Sequence, residues 1–241
     1  MKIGTFEFVP GFWPTLVFIC LLPVFISLGI WQIQRAAEKN AILDEIEKKA
    51  AEPARAIEKI DETLDVFSPV VLRGHFETEY QFLLDNRVFQ GAAGYEILTP
   101  FRLDSNRRLV LVNRGWVGLG MSRDSLPDIA LRGDTPTEVT GLYTRPSIGY
   151  RIGSAIPEDA AEWPKRLQYI DYDLIAAQLG DDVVPGVVQT DDDIGGKHPK
   201  IWQPVAFGPE KHYAYALQWF AIAFALLVIY IVLNTKKISP N

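Results

Sequence analysis

Two apolar stretches decide the fold class of this 241-residue chain: PTLVFICLLPVFISLGIWQI at residues 14–33 and AYALQWFAIAFALLVIYIVL at residues 214–233. A helix that rises about 1.5 Å per residue crosses a hydrocarbon core about 30 Å thick in about twenty residues. We therefore predict two transmembrane helices, at 14–33 and 214–233, that form a membrane α-hairpin. Between them, residues 36–211 are predicted to form one extramembrane α+β domain.

The middle of the chain is acidic. Every acidic residue except Glu7 lies between the two stretches, and so does every basic residue except Lys2, Lys236 and Lys237. Nucleic acid is therefore excluded as a partner, because phosphate binding needs a basic face. The single cysteine, Cys20, lies within the first stretch, so the domain has no internal disulfide and no thiolate metal site.

The flanks of the apolar stretches predict the orientation in the membrane. The first stretch exceeds a signal-peptide core and is followed by charged, helix-forming residues, so we expect it to be retained. The short termini carry lysines, which places them in the cytoplasm and the central domain in the periplasm, although Arg35 and Lys39 favour the opposite. No Arg-rich transit peptide precedes the first stretch, which favours a bacterial cell inner membrane and a multi-pass protein in contact with lipid.

Residues 36–51 continue the first helix in the prediction, and Glu52-Pro53 ends it. Short segments rich in Val, Leu, Tyr and Phe then predict strands at 66–76, 82–84, 95–103, 109–117, 138–143 and 183–190. Asp171 and Gly180 are placed to cap a helix at 172–179. These elements predict an antiparallel β-sheet or open barrel with helical additions. The polar residues 189–200 are interpreted as a solvated loop.

Polar residues cluster where both apolar stretches meet the domain. Gln32 and Arg35 share one face of the first helix, next to Trp31, and an amide at that depth seeks a partner across helices. On the second helix, His212, Tyr215 and Trp219 project within about 60° of one another. Gln218 is available for a bond to Gln32. We expect the two sets to lie at one depth.

These seven residues suit an amphipathic metalloporphyrin. An imidazole binds iron, an arginine pairs with propionates, and aromatic rings flank the macrocycle. The alternative for His212 is a plain interfacial histidine, which the residues alone favour. His75 and His198 have no ligand-type residues at metal-binding spacing and are interpreted as ordinary surface or strand residues.

The domain contains two Asn-Arg pairs, Asn86-Arg87 and Asn113-Arg114, and the second is followed by Gly115-Trp116. Side chains two apart in a strand share a face, so Arg114 and Trp116 lie together. Arg87, Arg114 and Trp116 are candidates for binding a partner protein, and a structural role is at least as probable on the sequence alone. Their exposure distinguishes the two.

The chain resembles the Surfeit-locus assembly factors of cytochrome c oxidase. The likeness runs in the family's order from the first apolar stretch to the second and is carried by Leu28-Gly29, Trp31-Gln32, Arg35, Lys39, Gly74, Phe76, Asn86-Arg87, Gly94-Tyr95, Thr99-Pro100, the run VNRGWV at 112–117, His212, Tyr215-Ala216 and Gln218-Trp219. Glu38 stands where relatives commonly carry an aromatic residue.

The resemblance implies a non-enzymatic role in maturing haem–copper oxidase. It implies that haem a is a transient cargo, with His212 as the iron-linked residue, and that the partners are oxidase subunit I and haem a synthase. The rival interpretation is a membrane-anchored scaffold that binds subunit I or another assembly factor and never holds haem. A membrane enzyme acting on lipid or quinone ranks last, because the sequence offers no nucleophile or acid–base pair for it.

Overall fold

The computed structural model describes residues 2–3, 6–56, 64–120, 126–131, 137–146, 155–156, 162–204 and 208–237. In chain order the elements are β1 Lys2–Ile3, β2 Phe6–Phe8, α1 Phe12–Ala50, β3 Arg55–Ala56, β4 Pro69–Phe76, β5 Phe82–Phe89, β6 Ala92–Leu103, β7 Leu109–Gly118, β8 Glu138–Thr144, β9 Lys165–Leu167, α2 Tyr172–Leu179, β10 Val183–Gln189, α3 Pro209–Leu233 and β11 Thr235–Lys237. The chain divides into two compact units: Met1–Glu45 with Pro204–Asn241, and Ile46–Gln203.

The first unit is built from both ends of the chain. Helix α1 runs without a break from the first apolar stretch to Ala50, as the sequence predicts, and Pro53 follows shortly after its end. Helices α1 and α3 are each long and apolar enough to cross a membrane. Each contains one of the predicted transmembrane segments.

A three-stranded sheet joins the two termini. Its order is β1–β2–β11 and both pairs are antiparallel, with Glu7 opposite Lys2 on one side and opposite Lys236 on the other. The opposite charges of the directly facing Glu7 and Lys236 are favourable neighbours in a sheet. The sequence pattern predicts no strand in these terminal segments.

The second unit is a closed five-stranded barrel. Around the barrel the order is β4–β8–β10–β7–β6, and the pairing of β6 with β4 closes it. Strand β6 closes the barrel because it is twelve residues long: its first half pairs with β5 and its last three residues pair with β4. Strands β3, β5 and β9 extend the sheet beyond the barrel. A five-stranded Greek-key barrel is the architecture of the OB-fold, which does not by itself assign a ligand.

The structure corrects the predicted sheet in two respects. The barrel is closed rather than open, and β10 runs parallel to β7, as β9 does to β5 and β3 to β4. A parallel pair needs a long connection between its strands. Between β7 and β10 that connection contains β8, β9 and α2.

The other predicted strands overlap observed ones, although β5 extends to Phe89, β6 begins at Ala92 rather than Tyr95, and β4 begins at Pro69 rather than Val66. Helix α2 has the predicted bounds, the Asp171 carboxylate accepts a hydrogen bond from the Leu174 N–H, and Gly180 ends the helix in the left-handed conformation. The largest core cluster packs strand residues such as Leu72, Phe101 and Val112. A second cluster packs the buried Ile175 of α2 against the barrel.

Candidate functional site

Helices α1 and α3 contact each other along much of their length. The contacts run antiparallel, from the Thr15 and Tyr230 hydroxyls, 3.0 Å apart, to a bond from the Asn40 amide to the Tyr213 hydroxyl at 3.1 Å. Gly29 is buried, and a Cβ atom there would lie 2.6 Å from the Phe220 ring. The glycine therefore leaves room on α1 for the Phe220 ring of α3.

Gln32 and His212 form a hydrogen bond between the two helices. The distance from His212 Nδ1 to Gln32 Oε1 is 2.8 Å, and Gln32 is 9% exposed. A carboxamide oxygen only accepts, so Nδ1 carries the proton in this arrangement and Nε2 keeps its lone pair. A histidine that ligates a metal typically donates its other N–H in this manner.

One predicted bond of the site is wrong. Gln32 bonds to His212 and not to Gln218, whose side chain is exposed. The reason is geometric: Gln218 lies six residues after His212, which turns it by about 120° around α3. Trp219 is half-buried and stacks on Phe25, with ring centroids 6.0 Å apart.

Trp31, Arg35 and Tyr215 are exposed beside the Gln32–His212 bond. Their exposed fractions are 45% for Trp31, 54% for Tyr215 and 49% for the Arg35 side chain. The Arg35 guanidinium lies over the Trp31 ring at 5.7 Å from its centroid and pairs with Glu38 at 2.7 Å. The Arg35 guanidinium therefore lies at the surface of the helix pair.

In the barrel unit, Arg114 is completely buried, so it cannot contact a partner directly, and its assignment to partner binding is corrected to a structural role. All the acceptors that its guanidinium meets in the described part of the chain are neutral. They are Thr99 Oγ1 at 2.9 Å, Gln81 Oε1 at 2.5 Å and the carbonyl oxygens of Ile129 at 2.6 Å and Ile194 at 3.2 Å. Burial lowers the pKa of Arg114 to about 10.

The remaining residues of the Asn-Arg pairs form a second polar network. The Asn113 amide donates to the buried Glu96 carboxylate at 2.7 Å, and Arg87 lies 2.9 Å from the other carboxylate oxygen. The Trp116 indole N–H donates to the Arg87 carbonyl oxygen at 3.1 Å. Arg87 and Trp116 are partly exposed, so both remain candidates for partner contact.

The segment 189–200 is packed on β7 rather than solvated throughout, which corrects the loop interpretation. Ile194 is 3% exposed. The backbone N–H of Trp116 donates to the Pro199 carbonyl, and the Lys200 ammonium donates to the Arg114 carbonyl. Burial lowers the pKa of His198, and the nearby positive charges of Arg114 and Lys200 lower it further. Burial also lowers the pKa of Lys200. The three aspartates and two glycines of this segment are typical of a solvated loop, so the sequence pattern did not indicate the packing.

Sequence reasoning missed three residues that join α1 to α3 beside the site: Asn40, Tyr213 and Phe25. Asn40 lies in a segment that helix propensity alone predicts, and Tyr213 is of a residue type common at membrane interfaces, so neither indicates a contact between helices. A period of three to four residues along α1, from Phe25 through Gly29 and Gln32, was the available signal for the face that meets α3.

These features define a class of protein: along the sequence, a β-barrel unit is flanked by two candidate membrane helices, and the two helices share a histidine–glutamine bond. No cluster of three or more His, Cys, Asp or Glu side chains suited to a metal ion occurs among the described residues. The chain belongs to the SURF1 family, whose profile matches residues 19–224.

Individual relatives cover most of the chain. A SURF1-like protein of Rickettsia felis is 27% identical over 93% of this chain and 98% of its own length. A SURF1-like protein of Rickettsia bellii is 28% identical over 86% of this chain and 85% of its own. The cytochrome oxidase assembly protein SHY1 of Saccharomyces cerevisiae is 30% identical over 37% of this chain and 24% of its own.

Proposed function

We propose that this protein assists the assembly of haem–copper cytochrome c oxidase as a non-enzymatic factor, and that it holds haem a transiently at His212 before the haem enters subunit I. Family membership and the name of the yeast relative support the assembly role. In this proposal haem a is cargo rather than a resident cofactor, haem a synthase is its source, and subunit I is the recipient.

The Gln32–His212 bond is the observation that supports cargo binding most directly. The bond leaves Nε2 as the nitrogen that would bind iron. In this proposal His212 lies near the membrane, where a porphyrin is soluble. One protein ligand suits a carrier, because a cargo held by a single axial bond is released more readily than one held by two.

The proposal includes a location in the bacterial cell inner membrane. Helices α1 and α3 cross the bilayer, the barrel faces the periplasm and the termini face the cytoplasm. Lysines in the short terminal segments support this orientation. Accessibility of cysteines introduced at Ala92 and Lys237 in a Cys20→Ser background tests it: a reagent that cannot cross membranes should label position 92 only from the periplasm and should not reach position 237.

Haem binding is tested by purifying the full-length protein from membranes that synthesise haem a. We expect co-purified haem in the wild type and its loss in His212→Ala. Gln32→Leu should reduce affinity by about 10–100-fold, the usual effect of removing a hydrogen-bond partner of a metal-binding histidine. Tyr230→Phe, at the other end of the helix pair, is the control and should retain haem.

A scaffold is the second candidate function, and the partial exposure of Arg87 and Trp116 favours it. The same preparations distinguish it from a carrier. A scaffold predicts that Arg87→Ala and Trp116→Ala abolish capture of subunit I while His212→Ala assembles active oxidase normally. Unchanged haem spectra and stoichiometry in His212→Ala would remove the carrier function and leave the scaffold.

A further inference from the structure

At the level of His212 the helix pair has two sides, and one of them carries a hydrogen bond that links the helices. On one side, the Asn40 amide donates to the Tyr213 hydroxyl and links α1 to α3. Trp31 lies nine residues before Asn40, which places it about half a turn away around α1. Tyr215 lies two residues after Tyr213, about 160° away around α3 when measured the short way.

These angles place Trp31 and Tyr215 on the same side. Asn40 and Tyr213 bond to each other on one side of the plane that contains both helix axes. Residues about half a turn from each of them lie on the other side of that plane. Arg35 is about 140° from Asn40 and its guanidinium covers the Trp31 ring, so it belongs to this side too. We call Trp31, Arg35 and Tyr215 the open side, and Asn40 and Tyr213 the linked side.

The open side has an amphipathic order along the helix axis. Trp31 is one residue from Gln32 and Tyr215 three residues from His212, and in antiparallel helices both displacements point toward the apolar centres of α1 and α3. Arg35 is displaced by three residues in the opposite direction, about 4.5 Å. Along the helix axis, the two aromatic residues therefore lie level with His212 or closer to the apolar centres of the helices. The cation of Arg35 lies farther from those centres.

We propose that the haem reaches His212 from the open side, with Trp31 and Tyr215 against the macrocycle and a propionate on Arg35. This deepens the proposed function and rests on it. The assignment replaces Trp219 as a ring contact, because that indole is already stacked on Phe25. The Arg35–Glu38 ion pair is exposed, and exposed pairs contribute little, so a propionate can take the place of the glutamate.

The test titrates the full-length protein in detergent with ferric protoporphyrin IX and compares the two sides. Tyr215→Ala and Trp31→Ala should each weaken binding by about 2–12-fold, the range of one aromatic contact. Tyr213→Ala and Asn40→Ala, the matched variants of the linked side, should bind within about twofold of the wild type. Tyr215→Phe keeps the ring and should restore wild-type affinity, which separates ring contact from a folding defect.

The ligand provides a second comparison for Arg35. Wild type should bind the free-acid porphyrin more tightly than its dimethyl ester, and Arg35→Gln should abolish that preference. Equal losses of porphyrin affinity in the variants of both sides would overturn the open-side assignment, and so would a preference for the free acid that survives in Arg35→Gln. The carrier function would still stand if His212→Ala loses the iron-linked spectrum. If His212→Ala binds as the wild type does, the proposed function itself fails.

Discussion

Arg114 shows how a residue chosen for its charge can serve the fold instead. Its guanidinium joins strand β6, the 126–131 segment and the 189–200 segment through neutral oxygens. The strand pattern predicts that Arg114 and Trp116 share a face of β7, and this is wrong: the register shifts between Glu96 and Leu98, and Gly115 has a φ of +112°. Trp116 therefore faces Glu96, as Asn113 does, while Arg114 lies on the other face beside Thr99. The sequence also does not show which side of the strand is covered. The cover comes from Ile129 and Ile194, which are distant in sequence.

Replacing Arg114 by Met should destabilise the barrel by about 3 kcal/mol or more, because several buried oxygens lose their donor at once and each orphaned group costs about 1–3 kcal/mol. Urea unfolding of the full-length protein in detergent measures this change. Arg73→Met is the matched control: Arg73 also lies in a strand and pairs with Glu138 at the surface, so its loss should cost less than about 1 kcal/mol. Equal costs would contradict the structural role of Arg114.

Gly115 is required by its conformation and by its neighbour. Its φ is +112°, and a Cβ atom would lie 2.7 Å from the His198 carbonyl oxygen. Gly115→Ala should therefore cost about 2 kcal/mol or more in the free energy of unfolding. Gly118→Ala, three residues along the same strand, adds a Cβ in ordinary contact at 3.5 Å from Trp116 and should cost less than about 0.5 kcal/mol. Similar unfolding midpoints for the two variants would refute this account.

At the scale of elements, the strand cores were predictable and their interruptions were not. The apolar run 82–84 marked the start of β5, but the strand continues to Phe89 through Asp85-Asn86, where the register shifts and Asn86 has a φ of +60°. A bulge of this kind carries polar residues inside a strand, which the sequence pattern presents as a turn. The parallel direction of β10 was hidden for another reason: strand direction depends on the connections and not on the strand's own residues.

The 189–200 segment makes barrel stability depend on pH. The pKa of His198 is lowered in the folded state, so the unfolded chain takes up the proton first as the pH falls. The contribution of His198 to the free energy of unfolding is therefore fully present above the unfolded pKa of about 6.5. It is lost progressively as the pH falls from that value to the folded pKa. Urea unfolding between about pH 7 and pH 5 should show a smaller loss of stability in His198→Gln than in the wild type. Identical pH profiles would show that this histidine does not contribute.

At the scale of the whole molecule, the two ends of the chain form one unit, and the apolar stretches alone indicated this. They did not indicate the sheet of β1, β2 and β11 or the role of Asn234, which is 2% exposed and whose side chain accepts a hydrogen bond from the Gly11 N–H at 2.6 Å. These contacts link residues more than 220 positions apart. No local sequence pattern indicates a pairing between two strands as distant along the chain as β2 and β11.

The packing of the two helices should control the site at His212. Gly29→Val would place methyl groups against the Phe220 ring, about one turn of α1 from Gln32, and should separate the helices enough to weaken the Gln32–His212 bond. We expect haem content to fall about tenfold and the melting temperature to fall with it, in protein purified with haem a present. Ser27→Val places the same side chain at an exposed position of α1 and should leave both unchanged. Normal haem content in Gly29→Val would mean that His212 binds without the contact to α1, and Gln32 would then have no part in the site.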